Sequence, residues 1–219
     1  MPECGHAYVI PHGEYGFCLN CKKVVEVKEE ESTTPFIMPH RIYEITEESW
    51  KKASPWPLLP YILVTEYSLY ISIINGLDYL IMPILKNGVY SYYSARNISG
   101  KAGLKYSYPT GVKKLYWKSS DELTSPIIIC EGVADALYCS LISSSVAVLG
   151  SYYNGSLDDD FRGKDIILCM DGDSAGVLAA FGIMQQLKGV KSKRIVMLPK
   201  NCDPTDLPIG ELTKLIMGE

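Results

Sequence analysis

The most constraining stretch of this 219-residue chain is IILCMDGDSAG, residues 166–176. Its first five residues are apolar and of strand length, and the run stops at two carboxylates, Asp171 and Asp173, with one glycine between them. Residues two apart in an extended segment share a face, so both carboxylates can leave the strand end in the same direction. That arrangement suits a hard cation. Gly172 and Gly176 supply backbone freedom for the turn, and Ser174 is placed to cap a helix over residues 175–187. Strand, acidic turn and helix in that order describe the carboxyl edge of a doubly wound sheet, where such folds carry their sites.

The same pattern occurs before and after it. In SPIIICEGVADAL an apolar run over residues 127–130 ends at Glu131, Gly132 makes the turn, and Asp135 follows at the start of a helix. Residues 194–198 read as a third strand, after which PKNCDPTDLP supplies Asp203 and Asp206 ahead of a last helix over residues 210–217. A single carboxylate at a strand end often does no more than cap a helix or face water. A series in register across three strands is harder to account for in that way.

Glu-Gly with Asp four residues on, then Asp-Gly-Asp-x-x-Gly, then Asp-Pro-x-Asp, together resemble the Toprim domain. The resemblance covers residues 124–219. That family includes DnaG-type primases, topoisomerases, small nucleases and recombination proteins. It implies magnesium or manganese held by Asp171 and Asp173 with Asp203 or Asp206. Glu131 is implied as a further ligand or a proton acceptor, and Asp135 as another ligand or a residue that orients one.

Net charge is −4, which argues against a protein that coats nucleic acid, but the charge is unevenly placed. Between Lys86 and Lys118 there are seven basic residues and no acidic one, whereas residues 121–219 hold 14 acids and eight bases. A basic surface beside an acidic, metal-dependent edge suits phosphate-ester chemistry. Arg96, Lys101, Lys105, Lys113 and Lys114, with Tyr106 among them, are the candidates for binding nucleotide or nucleic acid, since rings can stack on bases while cations neutralise phosphates.

The middle segment carries its own signals. A helix is expected to open at Thr65, followed by a hairpin of residues 79–85 and 89–95 turning at Asn87-Gly88. Pro83-Ile84, Gly88, Ala95-Arg96 and Lys105-Tyr106 resemble the catalytic core of DnaG-type and phage primases, with Ala95 standing where that family has glycine. This implies Lys105 and Arg96 as binders of the incoming triphosphate or the template backbone.

The seven cysteines are an odd number, which suggests reduced thiols. Cys130, Cys139 and Cys169 sit in apolar runs and read as core. Cys18-x2-Cys21 forms a knuckle, and Cys4-x-His6 upstream completes two ligand pairs suited to tetrahedral zinc, with His12 a rival to His6. A module of this size has little core, so metal would supply much of its folding free energy. The charged, then polar run at residues 26–35 reads as a flexible linker, and Thr46 is a plausible cap for a short helix after it.

The expected organisation is a zinc ribbon (1–30), a linker with a short helix (31–57), a small basic and aromatic mixed subdomain (58–123), and an α/β Toprim domain with a doubly wound, mostly parallel sheet (124–219). The expected activity is primase-like: a nucleotidyltransferase making short RNA on single-stranded DNA from ribonucleoside triphosphates. Its rivals are a metal-dependent Toprim nuclease and a zinc-ribbon recombination mediator. No GxxxxGK[ST] loop occurs, so a replicative helicase is expected to act in trans. The apolar window at 58–85 contains Glu66, Asn75 and Asp78, too polar for a membrane span. With no leader visible at the N-terminus, the expected location is the cytoplasm of a bacterium or phage-infected cell.

Overall fold

A computed structural model describes residues 36–150, 153, 155 and 157–218, and before them the strand backbone at 9–12, 15–18 and 24–26. The chain divides into two compact units, residues 1–35 and 36–219, so residues 36–57, expected to be linker and short helix, belong to the second. In the first unit β1 (Val9–His12), β2 (Tyr15–Cys18) and β3 (Val24–Glu26) form an antiparallel sheet in that order. Val9 faces Cys18 and Phe17 faces Val24 across its ladders. The zinc candidates Cys4, His6 and Cys21 lie outside the described residues, and Cys18 is described only as the last backbone position of β2.

In the second unit, α1 (Glu47–Ala53) opens at Thr46, whose hydroxyl accepts from the Ser49 amide while the Ser49 hydroxyl accepts from the Thr46 amide. The helix α2 (Tyr61–Glu66) ends where the sequence predicts one to begin. Ser68 takes a left-handed φ of 54°, and the following Tyr-Ile-Ser-Ile-Ile is the strand β4 (Tyr70–Ile74). The reason is local: β-branched and aromatic residues favour the pleated conformation, and Asn75-Gly76, with φ of 51° and 76°, supplies a hairpin turn into β5 (Leu77–Lys86). The second Asn-Gly turn, at 87–88, leads as expected into β6 (Val89–Asn97), and β7 (Tyr106–Ser107) completes an antiparallel sheet ordered β4-β5-β6-β7.

The other sheet is ordered β12-β11-β9-β10-β8, from β8 (Trp117–Lys118), β9 (Ile127–Cys130), β10 (Ser145–Ala147), β11 (Asp165–Leu168) and β12 (Ser192–Ile195). Only the edge strand β8 runs antiparallel; the rest are parallel. Around it run α3 (Val133–Cys139), α4 (Asp158–Phe161), α5 (Ser174–Gln186) and α6 (Ile209–Met217). All four residues of β9 are fully buried, because a central parallel strand is covered on both faces. Ile127 and Ile129 pack with Phe161, Leu168 and Ile183 on one side, while Ile128 and Cys130 pack with Leu137, Leu212 and Ile216 on the other. Leu80, Met82 and Ile84 of β5 belong to that second cluster, so one core joins the antiparallel sheet to the parallel one. Each of these buried aliphatic side chains stabilises the fold by roughly 1.5–3 kcal/mol relative to exposure.

Candidate active site

The carboxyl ends of β9 and β11 and the loop after β12 converge on one cleft. It is lined by Glu131, Asp135, Asp171, Asp203 and Asp206 on the acidic side and by Arg96, Lys105, Tyr106 and Tyr108 on the other. The antiparallel sheet delivers the second group: Arg96 lies on β6, directly opposite Tyr106 on β7, with Lys105 just before it.

Two glycines bring the acids together, through close approach and not the backbone freedom expected of them. A Cβ on Gly172 would stand 2.2 Å from the Pro199 carbonyl oxygen, and one on Gly176 would stand 2.2 Å from that of Asp171. Neither has a positive φ. Bare Cα atoms let the loop after β12 lie on the Asp-Gly-Asp turn, where the Gly172 amide donates to Cys202 (2.8 Å) and the Asn201 amide to Gly172 (2.9 Å). The α5 cap is also shifted by one residue: Asp173, and not Ser174, accepts from the Gly176 amide at 2.7 Å. Asp173 therefore borders the neighbouring depression beside Lys200 and Asn201.

Crowded carboxylates without enough cations become harder to ionise. Burial first, then the charges of Asp135, Asp203, Glu131 and Asp173, push the Asp171 carboxyl up to about 8. Its Oδ1 is shielded from solvent and has no hydrogen-bond partner. Asp135 is pushed to about 7 by burial and then by Asp203, opposed by hydrogen bonds from Thr205, whose hydroxyl lies 3.3 Å from Asp135 Oδ1. Glu131 is raised by burial, Asp173 and Asp203 and lowered by Lys105. Asp203 is raised by burial and Asp206, and lowered by Lys105 and by a hydrogen bond with Asp171. Asp206 accepts from the Asp203 amide at 2.9 Å and caps its short 3-10 turn.

Among the described residues no three His, Cys, Asp or Glu side chains already form a metal cage. The donor set nevertheless fits a hard divalent cation: its ligands are all oxygen, Asp171 has an unsatisfied buried oxygen, and the acids raise one another. Lys101, Lys113 and Lys114 do not line the cleft. The Lys114 amine donates to the Leu149 carbonyl at 2.8 Å, and burial lowers its pKa. Of the other aromatic residues between the cations, Tyr92, Tyr93, Tyr116 and Trp117 are core, while Tyr90 is exposed. Sequence reasoning missed Pro55, Trp56 and Thr205, which also line the cleft; nothing in the spacing of SPWP points there.

Comparison with known families matches residues 125–196 to the Toprim domain. Those residues are a Toprim domain. The fold around it is similar to that of primases of known structure. The zinc-binding and RNA polymerase domains of the Aquifex aeolicus primase superpose with a TM-score of 0.62 at 18% identity, covering 79% of this chain and 56% of that one. The primase fragment of the bacteriophage T7 primase-helicase gives 0.58 at 17% identity, covering 94% and 90%. A structure of the bacteriophage T7 lagging-strand DNA polymerase interacting with primase domains of two gp4 subunits bound to an RNA/DNA hybrid and dTTP gives 0.51 at 18% identity, covering 73% and 85%. This chain therefore spans little more than half of the Aquifex fragment. A comparison with curated proteins returned no match. Among the described residues, no helix is long and apolar enough to cross a membrane.

Proposed function

We propose that this chain is a metal-dependent nucleotidyltransferase that joins ribonucleotides into short primers on single-stranded DNA. The observation that carries the reading is one cleft lined both by acids from three strand ends and by Arg96 and Lys105 from the antiparallel sheet. Asp171 and Asp173, with Asp203 or Asp206, would hold magnesium or manganese. When bound, the ions would lower the pKa of the attacking 3′-hydroxyl and neutralise charge on the triphosphate and departing pyrophosphate.

Glu131 is a ligand or the acceptor of the hydroxyl proton. Asp135 serves mainly to orient: fully packed and bonded to Thr205, it ties α3 to the turn that carries Asp203 and Asp206. Lys105 and Arg96 hold the triphosphate or the template backbone. Phosphoryl transfer depends mostly on positioning and charge neutralisation, which is what this set of groups supplies.

The first unit, with zinc held by Cys4, His6, Cys18 and Cys21, would read the template or hold the initiating nucleotide. A replicative helicase would expose the strand in trans, in the cytoplasm of a bacterium or phage-infected cell. The T7 relative is a primase-helicase, which supports such a partnership. Incubation with labelled ribonucleoside triphosphates, single-stranded DNA and magnesium or manganese should yield short oligoribonucleotides. Degradation of the DNA with no such products would assign the same carboxylates to a nuclease and overturn the proposal.

A further inference from the structure

Arg96 is a cation of the cleft with shielded, unpartnered nitrogens: its Nε and Nη1 meet no hydrogen-bond acceptor among the described residues. What the guanidinium meets is aromatic: its carbon lies over the Tyr106 ring, 5.0 Å from the centroid, and over the Trp56 ring, 5.9 Å from the centroid. Tyr106 is expected there, since β6 and β7 pair Arg96 with it. Trp56 comes from the turn between α1 and α2, outside both the Toprim segment and the sheet that carries Arg96.

The way Trp56 is held suggests a fixed wall. It stands between Pro55 and Pro57, so its own φ/ψ and those of its neighbours are narrowly restricted. Its amide donates to the Ser54 hydroxyl (3.0 Å), and its carbonyl accepts from that hydroxyl (2.9 Å) and from the Leu59 amide (3.0 Å). The ring also packs against the shared core. An arm pinned at both ends presents one indole face to one guanidinium.

We infer that Trp56 is a positioning residue that, together with the Tyr106 ring, holds the Arg96 guanidinium oriented for a phosphate group of the nucleotide. The inference rests on the reading of Arg96 as the phosphate binder. Stacking leaves the in-plane N–H edge as the way to engage an oxyanion, and a guanidinium accepts such partial desolvation because it is weakly hydrated. Five carboxylates line the same cleft, so a guanidinium without its wall is drawn towards them and away from the anion it should receive.

The test is a double-mutant cycle on binding of inorganic pyrophosphate, measured by calorimetry on the full chain in magnesium buffer. Trp56→Ala should weaken binding about tenfold, the scale of one partly desolvated cation–π contact. Arg96→Ala should weaken it at least as much, and the double variant no further than Arg96→Ala alone. Trp56→Phe, which keeps a ring, should restore most of the affinity; a folded Trp56→Leu, which fills space without a π face, should not. Equal losses from removing Trp56 with and without Arg96 would overturn the inference, as would wild-type affinity in Trp56→Leu or no pyrophosphate binding by the wild type. A coupled loss of binding in a protein that makes no primers would sink the proposed function while leaving this inference standing.

Discussion

Replacing Asp171 with Asn should stabilise the protein when no divalent ion is added and destroy its response to one. The Asp171 carboxyl is raised from 3.8 to about 8 by burial and four neighbouring acids. A folded-state pKa above the unfolded value means that the native state holds the proton more tightly. Stability is then greatest below the unfolded pKa and is lost as pH rises through the window from about 4 to about 8. At pH 7 the shift amounts to about 4 kcal/mol at 1.36 kcal/mol per pKa unit, and screening of this partly exposed group brings that to about 2 kcal/mol. Asn keeps the shape and a donor for Asp203 while removing the charge, so Asp171→Asn should melt about 4–8 °C higher than wild type at pH 7. The difference should vanish towards pH 4. Circular-dichroism melts without added divalents supply the comparison, and millimolar magnesium or manganese should then raise the wild-type Tm and leave the variant unmoved. A variant that melts lower than wild type, or one that still gains stability from the ions, would show that Asp171 is neither a repelled charge nor a ligand.

Asp173→Ser keeps an N-cap for α5, so its melting temperature should stay near wild type while primer synthesis falls by several orders of magnitude; Asp173→Ala should in addition lose about 1 kcal/mol in denaturant unfolding. Gly172→Ala drives a methyl into the Pro199 carbonyl, so it should cost several kcal/mol, and an unchanged unfolding midpoint would mean that the loop yields freely. Metal analysis of purified protein should find close to one zinc per chain, lost in Cys18→Ser; a folded, zinc-free wild type would discard the zinc ribbon. Lys105→Ala should weaken single-stranded DNA binding and flatten its dependence on log salt by about one unit of slope, read by fluorescence anisotropy at several salt concentrations.

The ends of β9 and β11 are legible because each is a short apolar run cut off by a carboxylate and a glycine, a pattern that survives without tertiary information; the third strand has no such stop, and β12 lies at Ser192–Ile195, largely ahead of the apolar run expected to form it. Glu131, Asp171 and Asp203 indeed reach one cleft, joined by Arg96 and Lys105. Errors arose where several local preferences competed. The stretch after Thr65 mixes helical and strand-like spacing, which predicts a helix where β4 forms; the turn signal at Asn75-Gly76, the same as at Asn87-Gly88, is what decides for the strand. Asp173 and Ser174 are both good caps, and only the backbone register decides between them. Trp56 and the contact of Gly172 with Pro199 were not legible at all, since each depends on a segment that is distant in sequence and brought close only by packing.

The paired hydrogen bonds between Gly172 and residues 201–202 weld the turn after β11 to the loop after β12. Those two loops cannot spread apart like jaws without breaking both bonds and exposing the tight backbone seam beneath them. The acidic half of the cleft is thus a rigid anvil, assembled before any ligand arrives. Any adjustment to a ligand falls instead to the opposite wall, at the two-residue strand β7 beside the long hairpin, since Trp56 is itself held in place.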